Sequence, residues 1–496
     1  MSGETIRRAV AAGELAGVVE AGVERFLAVP YAAPPFGPGR FALPRPVSPW
    51  SGPRDATRYG PSAPQNRAML FADALPPVND GSDPDVLHVN VWAPADRPAG
   101  GRGCPVLVWF HGGALFEGSN RWLMFDGTRF ASQGVVVVAA NYRLGAEGFS
   151  VLDGAPLNLG LADQAAALRW VHDEIAGFGG DPDRVTIAGH SAGGATAAAL
   201  ACSPAVQGLL GRAIVQSGPL DARPPDEAAE ITRRMAHELD LPATRSAFAG
   251  VAPADLLAAQ AKALASAVPI IDDLGFHIAV DGDLVPAPAH EALGRGAADA
   301  VPLLIGVTSE EHMMWMGPVG IVDLINDETL LMVAAAKGLP TEIVDAYRRS
   351  RPGSSPGDIL GRLLSDQMLR APLVAVADAR AARPAAAPTF VYEFDWRSPA
   401  HRLGAGHSVE LPFVFATLDS PEGRLLVGDD PPAPLARTMN GAWARFVRGK
   451  EPGWPAWGPG RPVQVFDGAA DPVAHDLHPL EREAMAAVVA AGRPGP

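Results

Sequence analysis

Short, uninterrupted apolar runs alternate along this chain with longer stretches in which apolar residues recur every three or four positions. Residues 105–110 read PVLVWF and residues 135–140 read VVVVAA. Both are of strand length and apolar on both faces, which predicts central strands covered on each side. Residues 86–92, VLHVNVW, also read as a strand, stopped by Pro94. Leu161, Leu168, Val171 and Ile175 then repeat at helical spacing, and Gly179 and Gly180 end that helix. Beyond it, strands are expected at Val185–Ile187, in RAIVQSG (212–218), VPLLIGV (301–307) and TFVYEF (389–394), with two helical patterns between 226 and 265. Residues 327–382 are almost wholly helical in pattern, and Pro372 is expected to kink or divide a long helix there. A helix at 435–448, a strand VQVF and a helix LEREAMAAVVAA close the chain. Strands alternating with helices predict an α/β fold around a mostly parallel sheet. Residues 23–50 start as a strand and become too rich in proline for regular structure. No internal repeat is visible. The expected organisation is one catalytic unit, 1–496: a sheet core to about 320, a helical lobe at 321–388 over one end of the sheet, and the rest of the core at 389–496.

One strand-to-helix junction carries chemistry. Between the strand at Val185–Ile187 and the alanine-rich helix at Ala195–Leu200 lies Gly189-His190-Ser191-Ala192-Gly193. The chain must reverse sharply there, which lifts the Ser191 hydroxyl clear of the sheet in a strained conformation, while side chains at either glycine would collide with neighbouring backbone. This is the G-x-S-x-G nucleophile elbow. In a chain with 54 glycines the motif alone says little, but the strand before and the helix after give it context.

A serine hydroxyl is a poor nucleophile at neutral pH and needs a general base, which in turn needs a group to fix its tautomer. Two downstream strand-end loops offer these: Thr308-Ser309-Glu310-Glu311-His312 and Gly404-Ala405-Gly406-His407-Ser408-Val409-Glu410. The formal net charge of −15 and the absence of a basic stripe argue against nucleic acid as a partner. No run of about 18 apolar residues suggests a membrane span, and the N-terminus has no continuous apolar signal segment, so a cytoplasmic protein is expected. No metal-binding or phosphate-cradling motif occurs, and no cofactor is implied. Cys104 and Cys202 are the only cysteines and read as free thiols.

The order of motifs is specific: FLAVPYAAPP with GRF, VLHVNVWAP, PVLVWFHGGALFEGS, NYRLGAEGF, NLGLADQAAALRWVHDEIAGFGGDPDRVTIAGHSAGG, AIVQSG, IGVTSEEH and GHSVELPFVF. In this order they resemble the type-B carboxylesterases, the cholinesterase-like branch of the α/β-hydrolases, with its bacterial para-nitrobenzyl-esterase-like members. The resemblance implies an α/β-hydrolase fold and a serine carboxylic-ester hydrolase forming an acyl-enzyme, with Ser191 as nucleophile, Glu311 as acid and His407 as base. Glu310 competes for the acid role, because the family has glycine where His312 stands. Gly112, Gly113 and Ala192 match the oxyanion hole, and three N–H groups free of side-chain obstruction suit that role. His111 reads as a buttress of the glycine loop, and Ser217 and Glu410 as support behind the triad. Phe116, Met313, Met314 and Trp315 are candidate pocket residues.

Two departures bear on substrate. His190 stands where the family usually has glutamate, removing a carboxylate that would favour cationic substrates, so small to medium, mostly neutral esters are expected. The family's cysteine beside VLHVNVW is replaced by Asp85-Val86, which removes a loop tether. The alternatives are a carbamate, amide, lactone or polyester hydrolase with the same machinery, or a non-catalytic binding protein of the same fold. The partners implied are an ester and water, with the chain as a monomer or small homo-oligomer.

Overall fold

The computed structural model describes residues 4–67, 71, 75–96, 102–265, 271–272 and 275–491. Among these, thirteen strands join one sheet: β1 (Glu4–Val10), β2 (Gly13–Glu20), β3 (Val23–Pro30), β4 (Pro53–Asp55), β5 (His88–Pro94), β6 (Cys104–Phe110), β7 (Val136–Ala140), β8 (Gly180–His190), β9 (Arg212–Gln216), β10 (Leu303–Thr308), β11 (Thr389–Phe394), β12 (Pro462–Phe466) and β13 (Val473–His475). Their order is β1-β2-β3-β5-β7-β6-β8-β9-β10-β11-β12-β13, with β4 on β2. Neighbours from β7 to β12 run parallel, and the flanking strands run antiparallel except β4, which lies parallel to β2. The chain thus has the α/β-hydrolase architecture, a mostly parallel sheet flanked by helices.

The central strands are buried on both faces because each alternates between two cores. Val106, Val108 and Phe110 of β6 face one apolar cluster and Leu107 and Trp109 the other, and β7 divides in the same way. The helices α1 (Leu159–Glu174) and α2 (Ala192–Ala201) cover the first face, and α3 (Ala433–Val447) covers the second. A fully buried pair, Arg143 with Asp163, clamps α1 to the loop after β7 through two 2.7 Å bonds and a third, 3.0 Å, from the Arg143 N–H. The strands β1 and β2 and the three-residue strands β4 and β13 were not foreseen. In β1 and β2 the alternation is blurred by charged residues such as Arg7, Arg8 and Glu14, the composition that blunts sheet edges.

The helical stretch after β10 has an apolar cluster of its own, including Leu330, Val344, Tyr347, Leu360 and Leu363, and Met485 of the closing helix α4 (Pro479–Ala491) joins it. Pro372 does not break the long helix. A π-helical turn, Asp366–Arg370, widens the backbone immediately before it, where a regular helix would bring the proline ring against the Met368 carbonyl. Among the described residues, Cys104 and Cys202 form no disulfide. Where the family's cysteine is missing, Asp85 pairs with Arg54 at 2.9 Å.

Candidate active site

The strand register brings the chemically interesting loops to one edge of the sheet. Phe110 on β6 lies opposite Gly189 on β8, and His190 lies opposite Gln216 on β9, which in turn pairs with Gly306 on β10. The residues after each strand (His111, Ser191, Ser217 and the 308–312 loop) therefore emerge side by side, at the carboxyl end of a parallel sheet where such folds bind ligands.

Ser191 sits between β8 and α2 with φ 56° and ψ −125°, a conformation that L-residues rarely adopt. Its surroundings leave no slack: a Cβ on Gly189 would lie 2.1 Å from the Gly193 carbonyl oxygen, and one on Gly193 would lie 2.1 Å from that of Phe110. Ala192 opens α2, so its N–H belongs to the unpaired, positive end of the helix. Facing it is the loop after β6, where Gly113, Ala114 and Leu115 have φ of 115°, 51° and 66°. Among the described residues the N–H groups of Gly112, Gly113 and Ala114 have no hydrogen-bond acceptor. Ala114 was not singled out from the sequence, because an alanine carries no cue that its backbone is left-handed. His111 holds this loop from below: its Nδ1 pairs with the Gly112 carbonyl at 2.8 Å, and its ring stacks on Tyr142. Burial pushes the His111 imidazole down to about 4. Glu117 closes the same loop with its N–H on the Gly113 carbonyl, and burial lifts its carboxyl to about 7.

Glu311 and His407, separated by 96 residues, meet at 2.5 Å between Oε2 and Nδ1. The other Glu311 oxygen accepts from the Ser217 hydroxyl at 2.6 Å and from the Thr308 N–H at 2.7 Å. Burial raises the Glu311 carboxyl, but the histidine, the hydroxyl and the amide together outweigh it and hold the group below its ordinary value. His407 Nε2 is buried and has no hydrogen-bond partner among the described residues. Glu310 turns away from the histidine, with its oxygens engaged by Arg362, Arg397 and the Ala405 N–H. His312 is fully buried against Gly361, with Asp358 3.5 Å from its Nε2.

Behind Glu311 lies a polar relay that the sequence only partly disclosed. Glu410 accepts from Gln216 at 2.8 Å and from the Tyr392 hydroxyl at 3.0 Å, and the Trp443 indole donates to Gln216 at 3.0 Å. Burial lifts the Glu410 carboxyl to about 8, helped by the Glu311 charge and opposed by those two bonds. The available cue was a glutamine closing the apolar strand AIVQ.

His190 and Trp315 both lie against His407, with ring centroids at 4.4 and 4.8 Å. Burial, together with the neighbouring His407, holds the His190 imidazole well below its ordinary value, so it is neutral. Of the other candidate pocket residues, Phe116 borders the core under α1 and α2, Met313 borders the helical lobe, and Met314 borders the second face of the sheet. Among the described residues no cluster could hold a metal ion, and no helix is long and apolar enough to cross a membrane.

Residues 5–464 match the Carboxylesterase family. The chain is 36% identical over 465 residues to the para-nitrobenzyl esterase of Bacillus subtilis, covering 90% of this chain and 91% of that protein. It is 34% identical over 501 residues to phenmedipham hydrolase of Pseudarthrobacter oxydans, covering 94% and 96%. A solved carboxylesterase of Geobacillus stearothermophilus superposes with a TM-score of 0.84 at 34% identity, over 96% of this chain and 99% of that one.

Proposed function

The chain belongs to the carboxylesterase family and is a carboxylic-ester hydrolase, and from that premise we propose that Ser191, His407 and Glu311 perform the hydrolysis through an acyl-enzyme. The observation carrying this reading is the buried Glu311–His407 bond at the same sheet edge as the strained Ser191. Glu311 accepts a hydrogen bond from the His407 Nδ1–H, leaving Nε2 as the basic lone pair that takes the Ser191 proton as the hydroxyl attacks the ester carbonyl. The carbonyl oxygen becomes an oxyanion facing the N–H groups of Gly112, Gly113 and Ala192, with that of Ala114 alongside. Losing one such donor typically costs about 3 kcal/mol, so this loop matters nearly as much as the triad.

When the intermediate collapses, His407 returns the proton to the departing alcohol. It then deprotonates water, which attacks the acyl-enzyme, and returns that proton to the Ser191 oxygen as the acid leaves. Ser217 and Thr308 keep Glu311 ionised and aimed, and Glu410 supports the same region from behind through Gln216. The neutral His190 beside the histidine supplies no fixed charge, which favours neutral over cationic esters. The helical lobe at 321–388 lies over this end of the sheet and completes a single catalytic unit.

The test is labelling by a serine-reactive phosphonate combined with a screen of short and long acyl esters and an aryl carbamate. Wild type is expected to be labelled at Ser191 and to turn over esters. Ser191→Ala is expected to fold and do neither. Labelling at another serine would overturn the elbow assignment, and carbamate turnover exceeding that of every ester would overturn the ester preference.

A further inference from the structure

A single bond at Nδ1 does not fix an imidazole. It pins one atom of His407 and leaves the ring free to pivot, although Nε2 must serve Ser191, the departing alcohol and water in turn. A displacement of about 1 Å at such a group can cost about a hundredfold in rate. Something else must restrain the ring, and the structure offers two side chains in contact with it.

We propose that Trp315 and His190 are positioning residues that flank the His407 imidazole and hold Nε2 in line with Ser191. This rests on the triad reading above and extends it to two side chains that make no bond to substrate. Trp315 lies 4.8 Å from His407 between centroids, with the rings inclined by 32°, and His190 lies 4.4 Å away, inclined by 43°. Three further observations favour positioning over incidental packing. First, Trp315 belongs to the helical turn that begins directly after Glu311, with its N–H on the His312 carbonyl at 3.1 Å. One short segment thus supplies both the carboxylate for Nδ1 and a ring for the face. Second, the two loops are joined through their backbones: the His407 N–H donates to the Glu311 carbonyl at 3.3 Å, and a Cβ on Gly406 would lie 3.2 Å from the Met314 nitrogen. A shift of Trp315 therefore carries the histidine loop with it.

Third, His190 is buried at 3% exposure and its Nε2 has no hydrogen-bond partner among the described residues. A buried imidazole with that nitrogen unpaired contributes its ring surface, and being neutral it does not repel the imidazolium that His407 becomes during attack. Trp315, which is partly exposed, adds the attraction of an aromatic face for a cation at the moment the charge appears. The same exposure leaves its ring accessible to a substrate, so its effects on binding and on turnover must be separated.

The experiment compares Trp315→Leu and Trp315→Phe in the full-length protein with p-nitrophenyl acetate and butyrate, counting active sites with the phosphonate. Trp315→Leu is expected to lower kcat about ten- to a hundredfold with KM within about threefold, and Trp315→Phe to recover most of the loss. The downfield proton resonance of the His407 Nδ1–Glu311 bond is expected to broaden or shift in Trp315→Leu and to persist in Trp315→Phe. An unchanged kcat and resonance in Trp315→Leu, a loss confined to KM, or no rescue by phenylalanine would overturn the proposal. Should Trp315→Leu not fold, His190→Phe against His190→Ala decides: the proposal needs the ring-bearing variant to keep the higher kcat, and equal values overturn it. Failure of wild type to be labelled at Ser191 would instead overturn the triad reading, which keeps the two failures distinct.

Discussion

Exchanging Glu311 and Glu310 for glutamine, one at a time, separates two adjacent carboxylates that the sequence alone barely distinguishes. In Glu311→Gln the amide oxygen must stay where Ser217 and the Thr308 N–H donate, at 2.6 and 2.7 Å, because an NH2 group there would face two donors. The NH2 is then forced into the position 2.5 Å from His407 Nδ1. It can only donate, so Nδ1 must become the acceptor and the ring proton moves to Nε2, which loses the lone pair needed to deprotonate Ser191. A tautomer reversal of this kind costs about 10⁴ in kcat in a serine-protease triad, or about 5.4 kcal/mol of barrier. Glu310→Gln leaves the tautomer alone and weakens bonds to Arg362 and Arg397. Charge-assisted bonds contribute about 1.5–3 kcal/mol each. The Arg397 side chain is 66% exposed, which screens its share, so a stability loss of about 2–3 kcal/mol is expected, with kcat within about tenfold of wild type. Stopped assays on a p-nitrophenyl ester give kcat, and urea unfolding gives stability. If Glu310→Gln loses more turnover than Glu311→Gln while both remain folded, the acid assignment and the tautomer argument both fail.

His190→Glu replaces a neutral ring at 4.4 Å from the histidine by a carboxylate. It is expected to move the acidic limb of the kcat/KM profile to higher pH and to favour a cationic ester over a neutral one of equal size, and an unmoved limb and ratio in a folded variant would refute this. Glu410 binds its proton more tightly folded, at about 8, than unfolded, near 4.5. Its contribution to stability is therefore complete below about 4.5 and declines as pH rises towards 8, by up to about 1.4 kcal/mol per pH unit. Glu410→Gln can still accept from Gln216 and Tyr392 through its oxygen, so melting temperatures followed from pH 5 to 9 are expected to fall less in the variant than in wild type.

Much of the fold was legible because the central strands are apolar on both faces and end in turn-forming residues, a signal strong enough in β6, β7, β10 and β11 to mark them without homologues. The edge strand β1 and its neighbour β2 escaped because the charges they carry erase the alternation. At the candidate site, residue types gave the elbow and the two loops. What they could not give was direction: that Glu310 faces two arginines and Glu311 the histidine, that Ala114 is left-handed, or that Trp315 leans on an imidazole rather than filling core. These depend on the register of strands far apart in sequence. Pro372 shows the converse case, in which a strong local breaker was absorbed by one widened turn.

The bonds behind Ser191 span the chain. Glu311 to His407 crosses 96 residues, Ser217 to Glu311 94, Gln216 to Glu410 194 and Trp443 to Gln216 227. Contacts of such separation form late, since each must repay the entropy of closing a long loop before it contributes. Most secondary structure and the sheet face under α1 and α2 can therefore assemble in a refolding chain that still lacks a working histidine, whereas the second face waits for residues after 400. Hydrolysis then reports completion of the fold rather than its beginning, and a chain halted before residue 407 would hold the elbow, the glycine loop and the acid without a base to use them.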